Sequence, residues 1–268
     1  MAASSSPSNL GNLGFSARAR HAEPVMGTVV SFDVPLSARH DGSLDAAVAW
    51  LHWVDEVFSP YRPESEVSRL ADGTVTAADC VPEMAQVIAA CAFVGEMSQG
   101  YFTASPWGRF DPSGYVKGWA VERAAAILTA AGSASHLVNG GGDVQCVGSR
   151  PGASPAPWRV GIADPLRRGA LALVVEATDS AIATSGTAER GAHIANPHAG
   201  GPAAGLASVT MAGPSLALAD AYATAAFAMG PGLARDWAES LDGYEAYGIT
   251  ETGETWQTSG FAAYVAKD

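Results

Sequence analysis

At 268 residues, 48% of them apolar, the chain is long enough for one large domain or two small ones with an ordinary buried core. Its formal charge of −12, from 15 Lys and Arg against 27 Asp and Glu, argues against a basic surface that tracks nucleic-acid phosphates. No apolar run approaches the roughly 18 residues of a membrane span, so no membrane insertion is expected. The three cysteines, Cys80, Cys91 and Cys146, are odd in number and share no metal-ligand spacing, and they read as buried thiols.

The first 20 residues, MAASSSPSNLGNLGFSARAR, are too poor in apolar side chains to offset the entropy of ordering them, and read as a disordered tail over residues 1–20. They lack the roughly 7-to-15-residue apolar core of a signal peptide, which points to a cytoplasmic protein. From Val25 the stretch MGTVVSFDV is β-rich and reads as a strand entering the core. In SLDAAVAWLHWVDEVF, Leu44, Ala47, Val48, Leu51, Val54 and Phe58 recur at helical spacing, with Ser43 available as N-cap. A second helix is expected from Pro82 to Gly100, by the Pro-in, Gly-out asymmetry of helix termini, and a third after Lys117 through WAVERAAAILTAA.

SHLVN, GGGD and VQCVG read as two strands around a glycine turn, WRVGIAD and ALALVVEAT as further strands, and SRPGASPAPW as a surface loop between them. SLALADAYATAAFAMG is rich in helix formers, and PGLARDWAESLDG restarts as a helix on its own proline. The expectation is an α+β fold, a single domain over residues 21–268 with a mixed or antiparallel sheet and helices packed against it.

Four clusters bear chemistry. In ADAYAT, Asp220 and Thr224 lie four apart on one helix face and could offer a carboxylate and a hydroxyl to a hard cation; the same spacing also arises incidentally. The run Asn139-Gly140-Gly141-Gly142-Asp143 lets a backbone approach a phosphate or ribose, and it equally reads as a hairpin turn. In ATSGTAERGAHIANP, read as a loop, Thr184 and Ser185 precede a glycine and a lone His193 could serve as general base; a lone histidine can also be structural. FDPSGYVKGWAVERA joins Asp111, a turn through Pro112 and Gly114, and Lys117 at a helix start, where backbone N–H groups favour an anion; an ordinary capped turn would look the same.

Taken in order, these pieces resemble the ApbE family of flavin transferases, from about Met26 to Gly230. The resemblance rests on Met26-Gly27-Thr28, on FSPYRPESEVSRL from Phe58 to Leu70, and on DPSGYVKGWA from Asp111 to Ala120. It continues through Asn139 to Asp143, the T-S-G…E-R-G-x-H-I-x-x-P segment from Thr184 to Pro197, and ADAYAT from Ala219 to Thr224. Two departures stand out: Asn196 occupies a position where the family often has Asp, and the segment from Tyr101 to Asp111 is short.

The resemblance implies an ApbE-like, T-fold-related domain that takes FAD as substrate. It moves the FMN moiety to a Thr or Ser hydroxyl of an acceptor flavoprotein and releases AMP. It further implies Mg²⁺, or Mn²⁺, held by Asp220, Thr224 and the Gly114 carbonyl. FAD contacts are implied at Met26, Tyr101, Thr103, Ser105, Asp111, Lys117, Gly141, Asp143, Ser185 and His193, with His193 and Asp220 as the catalytic pair. Two alternatives share the site: an FAD pyrophosphatase in which water replaces the acceptor, and a non-catalytic FAD carrier. No nucleic-acid partner is expected.

Overall fold

The structure, a computed structural model, describes residues 17–152, 154–187 and 194–267. The chain opens with a hairpin of β1 (Arg18–Val25) and β2 (Thr28–Pro35), paired in register from Arg18 opposite Pro35 to Val25 opposite Thr28. Met26 and Gly27 form its two-residue turn, both with positive φ (53° and 68°), the conformation whose twist suits paired strands. The single strand expected through Met26 is thus two, and Arg18–Arg20, assigned to the tail from sequence, belong to the sheet.

Helices follow: α1 (Ser37–His40), α2 (Ser43–Phe58), α3 (Glu66–Ala71), α4 (Pro82–Met97) and α5 (Ser113–Ala130). Ser43 is the first residue of α2 rather than its cap. Gly42 takes the cap position in a left-handed conformation, and Asp41 Oδ1 accepts from Ser43 N at 2.9 Å. Helix α5 starts a full turn before Lys117, so Lys117 stands inside it rather than at its start. Trp50 on α2 packs edge-on against Trp119 on α5, with ring centroids 5.2 Å apart.

The rest of the chain alternates strands with two helices. Strands β3 (His136–Gly140), β4 (Asp143–Val147), β5 (Trp158–Ala163), β6 (Leu171–Ala177) and β7 (Ser180–Gly186) come first. Then come the short pair β8 (Ala195–Asn196) and β9 (Gly201–Pro202), followed by β10 (Leu206–Gly213), α6 (Leu216–Met229), α7 (Ala234–Glu239), β11 (Glu245–Thr250) and β12 (Thr255–Gln257). The main sheet runs β1-β2-β3-β4-β7-β10-β11-β12, and every pairing in it is antiparallel.

Alternation along the strands gives the sheet two buried faces. Ala181, Ala183, Val209 and Met211 join the larger core beneath the helices. Val144, Cys146, Ile182 and Ala212 join a second, smaller core under the separate β5–β6 ribbon. Helix α6 is buried along nearly its whole length, which its run of alanines permits. It crosses α5 where Gly118 has no side chain: a Cβ there would lie 2.5 Å from Leu216 O and 2.7 Å from Asp220 Cβ. That close crossing brings Asp220 beside Lys117.

Candidate active site

A cleft opens where β7 ends, between the helical layer and the β5–β6 ribbon. Its polar side is built from helix termini and turns. Asp111 precedes α5 and receives hydrogen bonds from both Ser113 N (3.0 Å) and Ser113 Oγ, which holds its carboxylate at the helix start. Gly114 faces α6, where a Cβ on it would be in ordinary van der Waals contact with Thr224 Oγ1, at 3.6 Å. Thr224 Oγ1 in turn lies 3.2 Å from Ser185 Oγ on β7. Gly141, at φ +63°, closes the β3–β4 hairpin directly against Thr28, whose Oγ1 would be 2.6 Å from any added Cβ.

Charge is concentrated behind this surface. Asp143 and Asp220 are 1% and 4% exposed. Lys117 Nζ forms an ion pair with Asp143 Oδ2 and lies 3.3 Å from Asp220 Oδ2. Asp220 Oδ2 also accepts from Gly118 N at 2.9 Å, the donor that helix geometry assigns to the Gly114 carbonyl. Among the described residues two buried carboxylates face one ammonium here, a balance to which a bound cation would add positive charge.

A hard divalent cation fits this donor set. Asp220 and Thr224 offer a carboxylate and a hydroxyl from successive turns of α6, and Gly114 on α5 faces Thr224 across the helix crossing. Among the described residues no group of three or more His, Cys, Asp or Glu could hold a metal. A cation held by the Asp220 carboxylate and the Thr224 hydroxyl would have mixed oxygen ligands, with positions left for a ligand's own oxygens.

The expected site residues divide clearly. Tyr101, Thr103, Asp111, Gly114, Lys117, Gly141, Ser185, Asp220 and Thr224 all line this one cleft. Asp143 stands just behind it, joined through Lys117. Met26 does not line it, because it occupies the hairpin turn and packs on the core; Thr28, two residues on, lines the cleft instead. Ser105 is exposed and also outside the lining. Thr184 and Ser185, expected on a loop, sit in β7, where alternation sends Ser185 toward α6 and Thr184 to the opposite face. His193 lies outside the described residues.

Sequence reasoning missed the apolar wall. Val160, Gly161, Ile162 and Ala163 of β5, with Pro165 beyond it, line the cleft opposite the polar side, and Ile182 and Ile194 add to it. The strand itself was legible in WRVGIAD, but no local signal says that it faces a ligand. Across the mouth, Tyr101 meets His198 from the turn between β8 and β9, with ring centroids 4.3 Å apart. Asn196 Oδ1 accepts from His198 N and Ala199 N, both at 3.0 Å, and so builds that turn.

Comparison with known proteins gives a consistent answer. The model of the ApbE family matches residues 26–107 and 103–248. A Rhodobacter capsulatus protein named FAD:protein FMN transferase is 30% identical over 228 residues, covering 80% of this chain and 40% of its own length. The chain spans less than half the length of the curated relatives it matches. Among solved structures, the flavin transferase ApbE from Vibrio cholerae superposes with a TM-score of 0.78 at 21% identity, over 92% of this chain and 99% of that one. The ApbE protein from Thermotoga maritima gives 0.80 at 22% identity, over 94% and 100%. At these identities the two structures show a shared fold.

Proposed function

Because the chain belongs to the ApbE family, we propose that it is a flavin transferase, moving the FMN moiety of FAD to a Thr or Ser hydroxyl of an acceptor flavoprotein and releasing AMP. The observation that carries this reading is the convergence of Gly114, Lys117, Asp220, Thr224 and the Gly141 turn on one cleft with an apolar wall opposite. The polar side suits a pyrophosphate, and the wall suits a flat ring system. Relatives bearing the name FAD:protein FMN transferase support the same activity.

In this reaction the acceptor oxygen forms a bond to the FMN phosphorus as the bond from that phosphorus to the AMP oxygen breaks. The hydroxyl proton leaves to a base, for which His193 is the candidate, and AMP departs. Mg²⁺ or Mn²⁺, held by Asp220, Thr224 and the Gly114 carbonyl, would neutralise charge on the pyrophosphate. Lys117 presents its ammonium to the same anionic region, and Ser185 fixes the Thr224 hydroxyl through their 3.2 Å contact. Tyr101 and the β5 residues orient the rings and exclude water. Among the described residues no helix is long and apolar enough to cross a membrane; a cytoplasmic location is part of the proposal.

The test is incubation of the purified protein with FAD, Mg²⁺ and an acceptor domain carrying its target threonine, read by intact mass and in-gel flavin fluorescence with and without EDTA. A metal-dependent mass gain of one FMN with AMP release is the expected result. Free FMN and AMP with an unmodified acceptor would replace transfer by hydrolysis, and FAD binding without turnover would leave a carrier.

A further inference from the structure

Asp143 is the most buried carboxylate at the site, yet it neither lines the cleft nor belongs to the oxygen set around Thr224. Its two oxygens do different things. Oδ1 accepts from Thr184 N at 3.0 Å, which fastens the start of β4 to β7. Oδ2 takes no hydrogen bond from another described group and faces Lys117 Nζ. Asp143 is therefore fixed by the sheet whatever Lys117 does, whereas Lys117 reaches the site on a flexible stem and has a second carboxylate, Asp220, at 3.3 Å.

One ammonium between two buried carboxylates sets up a competition. Every share of Lys117 that goes to Asp220 is a share of that carboxylate withheld from a cation. We infer that Asp143 is a positioning residue that draws Lys117 away from Asp220 and so keeps the Asp220–Thr224 oxygens open to a divalent cation. This rests on the reading of Asp220 as a metal ligand given above. With the charge of Asp143 removed, Asp220 is the one anionic partner left to Lys117 among the described residues, and Lys117 closes on it; an entering cation must then displace that ammonium.

The inference is tested by Mn²⁺ binding to the full chain without FAD, read from the electron paramagnetic resonance signal of free Mn²⁺. Asp143→Asn keeps an oxygen for Thr184 N and puts an uncharged amide nitrogen where Oδ2 faced Lys117. It is expected to weaken Mn²⁺ binding roughly tenfold or more, because a buried charge is left facing a single partner. Lys117→Met is expected to bind Mn²⁺ at least as tightly as the unaltered chain. Combining Asp143→Asn with Lys117→Met is expected to restore binding, since Asp143 acts only through Lys117.

Unchanged binding in Asp143→Asn, or no recovery in the double variant, would overturn the inference while leaving the metal site standing. If Asp143→Asn fails to fold, as judged by circular dichroism, Lys117→Met alone decides: weaker binding overturns the inference. If Asp220→Ala binds Mn²⁺ as well as the unaltered chain, the metal reading falls first and takes the inference with it.

Discussion

The imidazole of His198 lies against the ring of Tyr101 at a tilt of 45°, and its Nε2 donates to Gln99 O at 3.0 Å. The turn between β8 and β9 is thereby pinned to the segment that follows α4. Gly100, just before Tyr101, is left-handed (φ +84°), a conformation that favours glycine, and a Cβ there would make only van der Waals contact with His198 Nε2, at 3.6 Å. Replacing His198 by Ala removes one aromatic contact and one hydrogen bond from an exposed position, so the fold should persist while Tyr101 loosens. FAD binding, followed by flavin fluorescence, is expected to weaken roughly three- to tenfold, in line with the worth of such a contact. Unaltered affinity would show that Tyr101 is held by other means.

Gly118 offers a sharper structural test. Its Cβ would collide with the Leu216 carbonyl and with Asp220 Cβ, both of which are fixed in α6. Gly118→Ala must push α5 and α6 apart, at a cost of roughly 1–3 kcal/mol, despite alanine's better helix propensity. Urea unfolding should report the lower stability, and Mn²⁺ affinity should fall with it because the same displacement moves Gly114 away from Thr224. A stabilised Gly118→Ala protein would contradict the close helix crossing.

His136 predicts a pH dependence. The ring is fully buried, with Nε2 against Ala125 O at 3.0 Å and Nδ1 against Ser133 Oγ at 3.0 Å. Burial pushes its pKa down from 6.5 to about 4, and hydrogen bonding to Ala125 offsets this only in part. A lowered histidine pKa means that the unfolded chain takes up the proton first. The stabilisation is complete above pH 6.5, declines as the pH falls, and is lost by about pH 4, a change on the order of 3 kcal/mol. Urea midpoints measured across that window should fall more steeply for the unaltered chain than for His136→Gln, whose amide can still donate to Ala125 O. Parallel slopes would remove His136 as the cause.

The thiols should differ in reactivity. Burial pushes the pKa of Cys91 and of Cys146 up to about 12, so neither offers thiolate near neutrality. Cys80 is only partly buried, and burial together with the carboxylate of Glu66 raises its pKa as well. A disulfide reagent is expected to label Cys80 alone and slowly in the folded protein, and all three cysteines in urea. Fast labelling of a second thiol without denaturant would contradict the burial of Cys91 or Cys146.

What could be read from sequence followed the local patterns. The Asp220–Thr224 pair was legible because a helix places residues four apart on one face, and the β3–β4 hairpin because three glycines separate two apolar runs. Strands β7 and β10 were not read. Buried on both faces except at Thr184, they lack the alternation that marks a half-exposed strand, and SAIATSG and LASVTMAG are built from small residues. Thr184 and Ser185 therefore looked like loop residues. The grouping of Lys117, Asp143 and Asp220 depends on the crossing of α5 and α6 and on β4 lying next to β7, so no spacing in the chain announces it.

The β5–β6 ribbon belongs to no other sheet, and residues well beyond it in the chain hold it in place. Glu176 N donates to Tyr264 O at 2.7 Å, Ala266 N donates to Val174 O at 2.9 Å, and the buried Phe261 packs into the core beneath it. One wall of the cleft is thus clasped by residues 261–266, which leave the ribosome long after β5 and β6. During synthesis this clasping segment is among the last to emerge, so the β5–β6 ribbon gains these two backbone hydrogen bonds and the Phe261 contact only then.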